Sequence, residues 1–71
     1  MRYLVVVEKG SESYGAYVPD LPGCVSVGET EEEALSLMRE AIELHLQDLR
    51  RRGEPIPVPS STAQVVDVAA A

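Results

Sequence analysis

The pattern of this chain predicts an α+β fold, a βββαβ antiparallel sheet with one long helix packed on a face. Three observations carry the prediction. Short runs rich in valine and tyrosine alternate with turn residues over the first 28 positions. A long amphipathic stretch follows, with start and stop signals at its two ends. After a proline-rich connection, a last apolar run reads as a strand.

Arg2–Glu8 (RYLVVVE) is continuous and valine-rich, as expected of a strand buried on both faces or at a sheet centre. Lys9–Ser13 (KGSES) is turn chemistry, and Tyr14–Val18 (YGAYV) is a second strand, so the two form a hairpin. Asp20–Gly23 breaks the chain through Pro22-Gly23, Cys24–Val27 alternates as a third strand, and Gly28 ends it. Thr30 followed by Glu33 is a capping-box pair. Glu31–Glu33 at the start and Arg50–Arg52 at the end suit the helix dipole, and Gly53 is placed to stop the helix.

On a helical projection, Ala34, Leu35, Met38, Ala41, Ile42, His45, Leu46 and Leu49 share one face. Leu37 and Leu44 widen the apolar arc beyond what a small sheet covers, a hint of a subunit interface. Glu54–Pro59 (EPIPVP) favours extended chain, and Gln64–Ala69 (QVVDVA) reads as the fourth strand.

Size sets the next constraint. A chain of 71 residues is one domain, residues 1–71, with a marginal core that normally needs reinforcement. Cys24 is the only cysteine and His45 the only histidine, so neither a disulfide nor a structural zinc can supply it. Self-association as a homodimer or homotetramer is therefore expected. The formal charge of −6, from 12 acidic and 6 basic side chains, repels phosphate backbones and suits an acidic protein covering a basic partner. No stretch approaches the length of a membrane span, no signal-peptide layout opens the chain, and the cytoplasm is the expected location.

Candidate chemistry is sparse. His45 lies in the apolar stripe, where a core or interface histidine is the simpler account than a general base. Cys24 lacks a local group to lower its pKa and reads as a small buried hydrophobe. Glu8, Asp20, Glu40 and Asp67 would have to converge from separate elements to hold a divalent metal, and their spacing is no argument that they do. Arg50–Arg52 is accounted for by helix capping. No cofactor, no catalytic set and no metal site is expected.

The order of the pieces is more specific than any one residue. Tyr14-Gly15-Ala16-Tyr17-Val18-Pro19-Asp20-Leu21-Pro22-Gly23-Cys24 is followed by Gly28-Glu29-Thr30, then Glu32-Glu33-Ala34-Leu35, Glu40-Ala41-Ile42 and Ile56-Pro57-x-Pro59-Ser60. This succession resembles the HicB antitoxin family over about residues 2–68. The resemblance implies a reduced, ribonuclease-H-like domain without the nuclease's carboxylates. It also implies a non-catalytic antitoxin that neutralises a small basic HicA-type toxin, an mRNA-cleaving protein with a catalytic histidine. Tyr14, Tyr17, Asp20 and Leu21 are the partner-binding candidates. Many members of the family add a C-terminal DNA-binding domain. Here the sequence stops at Ala71, and no direct DNA binding is expected of it. A toxin-less oligomeric scaffold of the same fold is the alternative.

Overall fold

The computed structural model describes residues 1–70. Its elements are β1 (Val6–Lys9), β2 (Tyr14–Tyr17), β3 (Val25–Gly28) and α1 (Glu31–Arg51). The strands form one antiparallel sheet in the order β1-β2-β3. One helix lies across one face of this sheet, giving the expected α+β architecture.

Two strand expectations need correction. The first strand is neither central nor buried on both faces. β1 is an edge strand, its valines half-buried and Glu8 and Lys9 exposed. It is also short, because its pairing with β2 runs only from Val6–Tyr17 to Lys9–Tyr14, and β2 then enters a turn. Residues 64–69 form no strand: the segment from residue 54 to 70 has no regular secondary structure. Valine-rich sequence favours a pleated, half-buried surface, but a strand exists only where an edge receives it.

Two consecutive turns link β2 to β3. The Leu21 amide donates to the Val18 carbonyl at 3.1 Å, and the Cys24 amide donates to the Leu21 carbonyl at 3.1 Å. In the second turn Pro22 precedes Gly23, whose φ of 83° suits the third position of a type II turn. This folding drives Leu21 inward until it is fully buried, alongside Ala16, Val18, Cys24, Ala34 and Met38. Burying Leu21 and Met38 contributes on the order of 1.5–3 kcal/mol each.

The helix is capped at both ends. Thr30 Oγ1 accepts from the Glu33 amide at 3.0 Å, and Glu33 Oε1 accepts from the Glu29 amide at 2.9 Å. At the other end the Gly53 amide donates to Arg50 and the Glu54 amide to Leu49, with Gly53 at φ 70°. That is a Schellman closure. Arg52 pairs with Asp48 at 3.0 Å and with Glu54 at 3.2 Å, both exposed.

The helix lies closest to β3 and only skims β1. Small side chains permit this approach: Ser26 Oγ donates to the Ala34 carbonyl at 2.8 Å, and a Cβ on Gly28 would stand 2.6 Å from the Ala34 nitrogen. Replacing Gly28 with alanine is expected to destabilise the domain by about 1–3 kcal/mol through overpacking. At Gly15, where an added Cβ meets nothing within 4 Å, alanine should change stability by less than about 0.5 kcal/mol. Urea unfolding followed by helical circular dichroism checks both values.

Candidate partner interface

Because α1 covers one face of the sheet, the other face is bare. Strand alternation turns Tyr14, Ala16, Cys24 and Ser26 toward the helix, and Tyr17, Val25 and Val27 the opposite way. Cross-strand register arranges the bare face in rows. Val6, Tyr17 and Val25 stand side by side, and Glu8, Gly15 and Val27 form the next row. Tyr17 is 41 % exposed and Val25 and Val27 are each 63 % exposed. At Gly15 the absence of a side chain leaves a notch between Glu8 and Val27. The result is a small apolar surface with an aromatic centre and a carboxylate at one side, the anatomy of a recognition surface.

The four residues of the sequence motif do not gather in one place. Tyr17 stands at the centre of the bare face. Tyr14 is half-buried on the helix side, packed against the core. Leu21 is fully buried, so its effect on any interface is exerted through the fold. Val25 and Val27 complete the exposed patch although the motif does not single them out. The signal for them is the alternation Cys24-Val25-Ser26-Val27, in which a buried cysteine sends both valines outward.

Asp20 is an anchor. Its Oδ2 accepts from the amides of Ser60 and Ser61, each at 2.9 Å, and its Oδ1 accepts from their hydroxyls at 3.1 and 2.8 Å. The loop after β2 thereby holds a segment 40 residues downstream. The Ser61 and Ser60 amides, assisted by the hydroxyls, lower the Asp20 pKa from 3.8 to about 2. Tyr3 adds a second hold on the same segment, its hydroxyl donating to the Pro57 carbonyl.

The remaining candidates offer little chemistry. Cys24 is buried with its Sγ 3.8 Å from Met38 Sδ, and burial pushes its thiol pKa up, away from the thiolate. His45 is half-buried along the helix. Among the described residues, no group of three His, Cys, Asp or Glu side chains converges as metal ligands would. Among the same residues, no helix is long and apolar enough to cross a membrane.

Comparison with known proteins agrees with the motif. Residues 3–70 match the sequence profile described as HicB_like antitoxin of bacterial toxin-antitoxin system. An uncharacterised 14.9 kDa protein of Haemophilus phage HP1 is 34 % identical over 94 % of this chain, which spans 50 % of the phage protein's length. A UPF0150 protein of Thermoplasma acidophilum is 40 % identical, covering 80 % of this chain and 84 % of its own. The crystal structure of the N-terminal domain of Burkholderia pseudomallei antitoxin HicB superposes with a TM-score of 0.72 at 41 % identity, over 82 % of this chain and 69 % of that one.

The Asp20 anchor predicts a pH response of defined sign. A carboxyl whose pKa is depressed on folding, here from 3.8 to about 2, adds stability above its unfolded pKa and loses it as pH falls through the folded value. The Ser60 and Ser61 amide resonances should therefore titrate together with a midpoint near pH 2, and Asp20→Asn should remove that titration. The same substitution should lower hydrogen-exchange protection of both amides several-fold at neutral pH, leaving the helix unchanged.

Proposed function

Because this chain belongs to the HicB-like antitoxin family, we propose that it is a non-catalytic antitoxin module whose bare sheet face covers a small, basic, mRNA-cleaving toxin of the HicA type. The observation that carries this reading is the group of Tyr17, Val25 and Val27 standing exposed on one face of the sheet, with half-buried Val6 beside Tyr17. An amphipathic aromatic flanked by β-branched side chains is a typical interface anchor. A chain of net charge −6 adds attraction toward a basic partner and repels the RNA that the partner cuts. Neutralisation then needs no chemistry from the antitoxin, only a surface that occupies the toxin's RNA-binding side.

The same reading takes the βββα order as a reduced ribonuclease-H-like domain used for binding, and places the protein in the cytoplasm, where mRNA is the toxin's substrate. It expects no cofactor and no direct contact with DNA by this chain. Tyr17 is the proposed contact residue. Tyr14, Asp20 and Leu21 serve it by holding the strand, the loop and the core that present it.

The test is co-expression of the full chain with the short basic reading frame beside its gene, followed by co-purification and an RNA-cleavage assay. A stable complex that silences cleavage is the expected result. Tyr17→Ala, and separately the pair Val25→Thr and Val27→Thr, should each weaken the complex by about tenfold or more, near 1.4 kcal/mol. Leu44→Thr on the outer flank of the helix should not weaken it. Tyr14→Ala should lower stability more than affinity. A neighbour that cleaves RNA unhindered by this protein rejects the antitoxin reading in favour of a toxin-less oligomeric scaffold.

A further inference from the structure

Gly15 is a glycine that the fold does not require. It lies in β2, the middle strand of the sheet, where glycine adds chain entropy to the unfolded state and brings no side chain to pack. Two internal causes could account for it, and neither holds. Its backbone is outside the left-handed region, which only Gly23 and Gly53 occupy. A Cβ added to it would meet no atom within 4 Å, whereas one on Gly28 would press on the helix backbone. The remaining use of a strand glycine is to let a group from outside approach the backbone closely.

The surroundings of the notch indicate what that group is. Cross-strand register places Glu8 on one side of Gly15 and Val27 on the other, and Tyr17 stands two residues along β2 on the same face. Side chains opposed across neighbouring strands are about 5 Å apart, so a long side chain entering over Gly15 reaches all three. Glu8 is exposed. Among the described residues both ion pairs are made by Arg52, with Asp48 and with Glu54, which leaves the Glu8 carboxylate without a cation. Its neighbour Lys9 alternates toward the helix side of the sheet and does not supply one. A carboxylate and an aromatic ring side by side attract a cation. Val27 suits the methylene stem that lysine or arginine lays on apolar surface behind its charged head.

We propose that the notch over Gly15 is the seat of one cationic side chain, a lysine or an arginine, of the protein that covers this face, with Glu8 as its counter-ion. The inference rests on the reading of this face as the toxin-binding surface, and it names the chemical group by which the toxin is recognised there. Labour is divided across the face. Tyr17 and Val25 supply apolar contact, and the seat supplies register and selectivity. A partner that set a carboxylate or a neutral group over the notch would leave Glu8 covered and unpaired, and so be rejected.

The test measures binding of the full chain to the product of the short basic reading frame beside its gene, using the variants Glu8→Gln, Gly15→Val and Glu40→Gln. Glu40 is exposed on the helix, and its replacement changes the net charge by the same amount as Glu8→Gln. Circular dichroism should report a parent-like fold for all three, because both glutamates are exposed and valine suits a strand. Glu8→Gln should weaken the complex about tenfold at low salt and less as salt rises. Gly15→Val should weaken it about tenfold or more at every salt concentration, and Glu40→Gln by less than about twofold. Combined with alanine replacement of each lysine and arginine of the toxin in turn, Glu8→Gln should be non-additive with one of them, by about threefold or more, and additive with the rest. A complex that Glu8→Gln weakens no more than Glu40→Gln overturns the seat and leaves the antitoxin reading standing. Additivity with every toxin cation, or a Gly15→Val variant that binds like the parent, overturns it in the same way. A parent chain that forms no complex rejects the antitoxin reading, and the seat falls with it.

Discussion

The close seat of the helix on β3 is the constraint from which the other features of the structure follow. Gly28 and Ala34 meet where any side chain on the glycine would collide with the helix backbone, and Ser26 ties its hydroxyl to the same turn. Small residues therefore set the height of the helix over one side of the sheet. Met38, one turn further on, reaches the core and touches Cys24. Beyond it the helix has drawn away from β1, and its apolar face continues past the edge of the sheet. A seat this tight at one end and open at the other produces both the buried cluster and an open groove beside β1.

A three-stranded sheet with one helix has more apolar surface than it can bury by itself. The inner face and the turn carrying Leu21 form the core. The outer face keeps Tyr17, Val25 and Val27, the helix flank keeps Leu37 and Leu44, and the arm keeps its valines. Isolated exposed hydrophobics are ordinary, but here they are grouped by element, each group on its own side. Grouping of that kind is how a small domain presents separate surfaces to separate partners. Meanwhile the groups able to do chemistry are withdrawn: burial keeps the Cys24 thiol protonated, and Asp20 has its carboxylate oxygens engaged by the serines.

Local rules made most of the fold legible and long-range ones did not. The capping pair Thr30 and Glu33 and the stop at Gly53 mark the helix within its own sequence, and both operate as drawn. Pro22-Gly23 marks the turn for the same reason, since a fixed φ and a permissive residue act on their own positions. The place of β1 in the sheet is a global matter. Its valines read as central, yet strand order depends on which edges find a partner, and among the described residues no strand pairs with the outer edge of β1. The run Gln64–Ala69 has the propensity of a strand, but propensity does not supply a neighbour. Asp20 was legible as a turn residue and not as an anchor, because its partners Ser60 and Ser61 lie far along the chain. Leu21 was legible as part of the motif, while its burial comes from two successive turns that only the folded loop displays.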